Sequence, residues 1–129
     1  FGLSKVGLSI SDPLKIISIP LKVVKYKKRE ELLSELQEIA MENDVKSFVI
    51  GYPLNMNNRK NEMTKLVDDF FEELKNLNFD VFLQDERLSS ESAKKIMHEQ
   101  NIKTGKNKEH IDLIASTIIL QSFLDKGSF

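Results

Sequence analysis

Phe79-Asp80-Val81-Phe82-Leu83-Gln84-Asp85-Glu86-Arg87-Leu88-Ser89-Ser90 changes character half-way along. Phe79 to Gln84 is an apolar run that reads as a buried strand. It stops at two adjacent carboxylates, Asp85 and Glu86. Arg87 and two serines suited to capping a helix follow. Carboxylates at the end of a buried strand cost desolvation energy unless something compensates them. A divalent metal is one compensator, and a salt bridge to Arg87 is another. A helix is expected from about Ser89 to Gln100.

On the N-terminal side of this stretch, Met63, Leu66, Val67, Phe70, Phe71 and Leu74 recur at helical spacing. A polar loop, Asn55 to Asn61, precedes them. Before it come a short apolar strand, Val45 to Ile50, and the turn Gly51-Tyr52-Pro53. Glu30 to Asn43 has helical periodicity, with Leu32, Leu33, Leu36, Ile39 and Ala40 on one face. Nearer the start, Val6, Leu8 and Ile10 alternate with Gly7, Ser9 and Ser11, the period of a strand. Asp12-Pro13 marks a turn. Ile16 to Val24 reads as the returning strand, with Pro20 confining it to an edge or a bulge. On the C-terminal side, a loop from Lys103 to Lys108 leads to a helix that is apolar nearly all round from Ile111 to Leu120. Such a helix is expected to be buried. Strands alternating with helices argue for an α/β domain with right-handed parallel crossovers, and the opening hairpin makes the sheet mixed.

The chain has 129 residues, enough for one domain with a real core. Charged residues make up 30% and hydrophobic ones 40%, the mix of a globular protein rather than a disordered one. No apolar run approaches the roughly 20 residues of a membrane helix, and no secretory signal is visible. The absence of cysteine excludes disulfides, thiolate metal sites and thiol nucleophiles, and fits a reducing cytoplasm. The net charge of −1 is not that of a protein that coats nucleic acid. The basic residues nevertheless cluster, at Lys22 to Arg29, at Lys94-Lys95, and at Lys103, Lys106 and Lys108. Such clusters can form a local basic patch or simply a solvated face. Phe1 is not an initiator methionine, and the first strand is expected to lack a few N-terminal residues.

In an open α/β sheet, sites form beyond the carboxyl ends of the parallel strands. Asp85 and Glu86 end one such strand. As neighbours in extended chain they point to opposite faces, so at most one enters a cleft. The pair also reads as a charged turn that steadies the next helix through its dipole. Asp112 lies in the first turn of the apolar last helix, where a carboxylate is held against the core. It too can act as a dipole partner. Gly51-Tyr52-Pro53-Leu54-Asn55-Met56-Asn57 ends the other parallel strand, and Asn55 offers both a donor and an acceptor. His98 and His110 lack ligand spacing. There is no glycine-rich phosphate loop and no serine elbow.

Phe1 to Leu14, Gly51 to Met56, Asp85 to Ser90 and Asp112 to Leu124 resemble, in order, the four motifs of the YqgF (RuvX) family. The resemblance implies an RNase H-like (RuvC-like) fold, a mixed β-sheet flanked by helices on both faces. It implies a bacterial, cytoplasmic nuclease that uses divalent metal and is associated with 5′-end processing of pre-16S rRNA. The family pattern places an aspartate immediately before the aromatic-glycine pair, here Phe1-Gly2. Ser4-Lys5 stands where Lys-Arg is usual, Tyr52 where leucine is, and Ser90 where threonine is common.

Read this way, Glu86 and Asp112, with Asp85 as the less favoured choice, are the catalytic and metal-binding carboxylates. Mg2+ or Mn2+ is the expected cofactor, because hard cations prefer carboxylate oxygens. Two such ions roughly 3.5–4 Å apart activate a water and stabilise the leaving oxygen. Lys5, Asn55, Arg87, Lys103, Lys106 and Lys108 are candidate contacts to nucleic acid, either pre-rRNA or branched DNA. No membrane partner is expected, and a symmetric junction substrate would favour a homodimer; Phe123 or Phe129 could anchor one, but each reads more simply as core or tail. The rival readings are a Holliday junction resolvase acting on four-way DNA, a non-catalytic RNA-binding ribosome-assembly factor, and an ATP-binding relative of the wider superfamily.

Overall fold

The computed structural model describes residues 1–54, 57, 59–86 and 108–127, with backbone alone at 108–110. The expected helix from Ser89 to Gln100, and both histidine side chains, lie outside the described residues. The elements run β1 (Lys5–Ser11), β2 (Ser18–Lys25), α1 (Arg29–Glu42), β3 (Ser47–Tyr52), α2 (Glu62–Asn76), β4 (Asp80–Asp85) and α3 (Lys108–Lys126).

β1 and β2 form the expected antiparallel hairpin, with Lys5 opposite Lys25 and Ser11 opposite Ser18. The register slips between Leu8, opposite Lys22, and Ser9, opposite Pro20, so Leu21 is the extra residue of a bulge. Proline, which has no N–H to give a ladder, therefore sits beside a break in the ladder. At the turn the Asp12 carboxylate accepts the N–H groups of Ile16 (2.7 Å) and Ile17 (2.8 Å). β3 and β4 pair in parallel, Ser47 opposite Asp80 through Tyr52 opposite Asp85, joined by α2 as the crossover.

One expectation changes. The strands are bonded as two separate pairs, β1–β2 and β3–β4, and not as one mixed sheet among the described residues. A cavity separates β1 from β3.

Side chains from both pairs nevertheless share one core. Val6 and Val24 meet Ile50, Val67, Phe70 and Leu74, together with Leu32 and Leu36 of α1. Leu32, Val67 and Leu74 are wholly inaccessible. α2 is well founded at its start: the Asn61 side-chain oxygen accepts the N–H groups of Met63 (2.9 Å) and Thr64 (3.1 Å). Thr64 Oγ1 in return accepts the Asn61 N–H at 2.9 Å, the reciprocal pattern of a capping box. The Asn61 amide also donates to the Pro53 carbonyl at 2.7 Å, which ties the loop after β3 to the helix.

Residues alternate along β1 and β3. Val6 and Ile50 enter the shared core, whereas Gly7 and Gly51 meet α3. The Ser9 hydroxyl bonds those of Ser116 (2.7 Å) and Thr117 (2.9 Å). Farther along α3, the Gln121 carbonyl oxygen accepts the Ser18 N–H and its amide donates to the Ile16 carbonyl, at 2.9 and 2.8 Å. Phe123 packs on Phe82, ring centroids 5.3 Å apart, and is buried. It is core and cannot anchor a dimer. Phe129 lies outside the described residues. α3 departs from expectation in another way: Ile111 to Gln121 are half-buried throughout, because part of the helix faces the cavity rather than packed side chains.

Candidate active site

Glu86 follows β4 directly, and its N–H donates to the Tyr52 carbonyl at 3.1 Å. That bond continues the parallel ladder one residue beyond the strand and fixes where the side chain leaves the backbone. Gly51 provides the room. A Cβ at Gly51 would stand 2.6 Å from Glu86 Oε2 and 2.9 Å from the Ile119 methyl, so any side chain there would displace both. The Glu86 carboxylate therefore lies over Gly51 and beside α3. Burial pushes the Glu86 carboxyl above its ordinary range; the amino group of Phe1 opposes this and neighbouring Asp85 adds to it. Asp85 is exposed and does not line the cavity, whereas Glu86 does. The two neighbours take the opposite sides that extended backbone requires.

Asp112 reaches the same cavity from α3. Its main chain rests on Gly7, where a Cβ would stand 2.7 Å from the Asp112 carbonyl carbon. A helix can approach a strand this closely only where the side chain is absent. Asp112 Oδ2 lies 3.1 Å from Lys5 Nζ. The same oxygen is buried and receives no hydrogen bond, so the contact with Lys5 is a charge pair without directed geometry. Both side chains are about one-third exposed, at 33% and 35%, and such a pair is worth on the order of 0–1 kcal/mol. Lys5, expected from the sequence to meet a phosphate, is thus placed against a carboxylate.

The structure brings Glu86, Asp112 and Lys5 to one cavity of about 540 Å³ and leaves Asp85 outside it. Asn55, Arg87, Lys103, Lys106 and the Lys108 side chain lie outside the described residues. Among the described residues, no three His, Cys, Asp or Glu side chains cluster as a metal-binding set. The two carboxylates present do suit a hard cation. Both offer only oxygen, one Asp112 oxygen is buried without a hydrogen bond, and burial penalises the charge on Glu86.

Sequence reasoning missed Gly7, Ser9, Ser116, Thr117 and Gln121 as determinants of this site. A signal existed. Gly7, Ser9 and Ser11 are the positions that alternate with Val6, Leu8 and Ile10, and they read as the wet face of a strand. α3 uses the smallness of Gly7 and the hydroxyl of Ser9.

A family model described as "RuvX: Holliday junction resolvase" matches residues 1–126, a span that contains Lys5, Glu86 and Asp112. The chain belongs to the RuvX family. RuvX relatives resemble it over nearly their whole length. One from Mycoplasmopsis synoviae (strain 53) is 38% identical over 127 residues, 97% of this chain and 93% of the relative. One from Ruminiclostridium cellulolyticum is 36% identical over 128 residues, 98% of this chain and 90% of its own. One from Dictyoglomus thermophilum is 37% identical over 129 residues, 99% of this chain and 93% of its own. Each bears the name "Putative pre-16S rRNA nuclease". No helix among the described residues of this RuvX chain is long and apolar enough to cross a membrane.

Proposed function

We propose that this chain is a metal-dependent endonuclease that hydrolyses phosphodiester bonds in the 5′-end processing of pre-16S rRNA in the bacterial cytoplasm. The observation that carries the reading is the convergence of Glu86 and Asp112, one from a strand end and one from the last helix, on a single cavity. Family membership and the names of the relatives support it. The fold that goes with it is RNase H-like, a mixed sheet with helices on both faces.

In this reading Glu86 and Asp112 hold Mg2+ or Mn2+, which supplies an activated water and charge neutralisation at the scissile phosphate. Gly51 keeps the Glu86 carboxylate free to turn toward the cavity. Gly7 lets α3 bring Asp112 onto β1. Lys5 neutralises Asp112 before substrate arrives and is then available to a phosphate oxygen. Asn55, Arg87, Lys103, Lys106 and Lys108 are the further candidate contacts to the nucleic acid backbone.

The decisive measurement is cleavage by the full-length protein of a 5′-extended 16S precursor and of a four-way DNA junction, with Mn2+ or with chelator. Metal-dependent cutting of the precursor is expected, with at least a ~100-fold loss in Glu86→Gln and in Asp112→Asn. Cleavage that survives chelator or either substitution would sink the assignment. Preference for the junction would favour the activity in the family's description.

A further inference from the structure

Tyr52 has three attachments, and each leads to a different part of the molecule. It is the last residue of β3. Alternation along that strand sends Gly51 toward α3, and Ile50 and Tyr52 the other way. The half-buried Tyr52 ring packs against the shared core. Its hydroxyl reaches past the core and donates to Asp68 Oδ2 of α2 at 3.2 Å. Its carbonyl oxygen accepts two N–H groups, from Leu54 at 3.0 Å and from Glu86 at 3.1 Å, which occupies both lone pairs. One residue therefore links the core, the crossover helix and the backbone of Glu86.

α2 holds that point from the opposite side. Asn61 and Asp68 stand seven residues apart, two turns along one face of the helix. Asn61 donates to the Pro53 carbonyl at 2.7 Å, and Asp68 accepts from the Tyr52 hydroxyl. Consecutive residues at the exit of β3 are thus fastened to one helix face. Asp68 is half-buried, whereas Asp69 beside it is exposed. A hydroxyl bonded to a carboxylate partly out of water is held more firmly than one in solvent. Packing alone does not call for this bond, because phenylalanine would fill the same part of the core. Leucine, usual here in the family, would also pack but has no group to offer Asp68.

We propose that Tyr52 and Asp68 are positioning residues for Glu86. The bond between phenol and carboxylate fixes the Tyr52 side chain, and with it the tilt of the Tyr52 carbonyl. That carbonyl in turn sets where the Glu86 backbone lies and from where its carboxylate reaches the cavity. Both residues act through the backbone of Glu86 rather than on substrate. A ligand displaced by a fraction of an ångström loses much of its effect, so a remote brace matters to the chemistry. The proposal rests on the nuclease reading for the importance of Glu86. The brace itself is measured without metal or substrate.

The test uses Tyr52→Phe, Asp68→Ala, Asp68→Asn and the double variant of the first two in the full-length protein. The readouts are hydrogen exchange at the Glu86 amide, Mn2+ affinity by calorimetry, and kcat and KM on a 5′-extended 16S precursor. Tyr52→Phe and Asp68→Ala are each expected to speed exchange at the Glu86 amide about 3–10-fold. Mn2+ affinity should fall by a similar factor. The kcat should also fall about 3–10-fold, with KM changed less than about 2-fold. Asp68→Asn keeps an oxygen acceptor for the phenol and should restore most of each loss. The double variant should be no worse than the poorer single one, because both remove the same bond. A lower Tm with the Glu86 amide and Mn2+ affinity unchanged would reduce the bond to a stability contact and overturn the proposal. Losses that add in the double variant would overturn it too. If the unaltered protein neither binds Mn2+ nor cleaves, the nuclease reading falls, and exchange at the Glu86 amide still decides whether the brace exists.

Discussion

The two sides of the strands are unequally closed in space. Toward α1 and α2, Leu32, Val67 and Leu74 lose all contact with solvent. Toward α3, which is more uniformly apolar than either of those helices, Ile111 to Gln121 stay half-buried. Hydropathy says how strongly a side chain would gain from burial; what stands opposite decides whether it is buried. α1 and α2 meet side chains from both strand pairs, whereas part of α3 looks into the space between them. On the closed side the core supplies stability, and the open side holds the charged groups of the site.

The largest expected effect tests that contrast directly. Leu74→Ala should cost about 2–5 kcal/mol in denaturant unfolding, since it leaves a cavity in a sealed core. Ile119→Ala, on the open side, should cost about half as much or less. Equal losses would show that α3 is as tightly packed as α2. Next come the glycines on which α3 rests. Gly51→Ala brings a methyl against Glu86 and Ile119 and should cost about 1–3 kcal/mol. Gly7→Ala meets the Asp112 backbone, which yields less readily, so its loss should be at least as large and should come with weaker Mn2+ binding by calorimetry.

A smaller effect belongs to the closed side. Asn61→Ala removes the cap of α2 and should cost about 1 kcal/mol. The smallest belongs to the hairpin. The Ile17 and Ile16 N–H groups hold the Asp12 carboxyl below its ordinary value of 3.8. A depressed acid contributes stability above its unfolded pKa and loses it as pH falls through the folded one. Asp12→Ala should therefore melt slightly below the parent at about pH 5 and together with it at about pH 2. A gap that persists in acid would mean that the turn does not depend on the carboxylate.

Much of the fold was legible in local pattern. The period-2 run at Val6 to Ile10, the helical spacing of Leu32 to Ala40 and of Met63 to Leu74, and the apolar run before Asp85 each became the element they imply. The start of β3 was missed by two residues for a local reason. Val45 looks like a strand residue, but its N–H donates to the Ala40 carbonyl at 2.8 Å, closing α1 after Asp44 at a φ of 54°. Of the site, Glu86 and Asp112 could be named because acids are conspicuous beside apolar runs. Gly7 and Ser9 could not, because their role depends on a helix about a hundred residues later in the chain folding back onto them. The gap between β1 and β3 was equally hidden, since periodicity describes the faces of a strand and not its edges.

Gln121 has a consequence for the order in which the molecule assembles. Its side chain fastens both the Ile16 carbonyl and the Ser18 N–H, a span of more than a hundred residues between the first hairpin and the last helix. During synthesis the hairpin emerges early and waits for α3 before its turn is locked. Any product that stops short of Gln121 keeps the Asp12 bonds to the Ile16 and Ile17 N–H groups but lacks the tie from the turn to α3. The last helix therefore completes the first hairpin: the backbone of its turn is fixed at both Ile16 and Ser18 only when the end of the chain has been made.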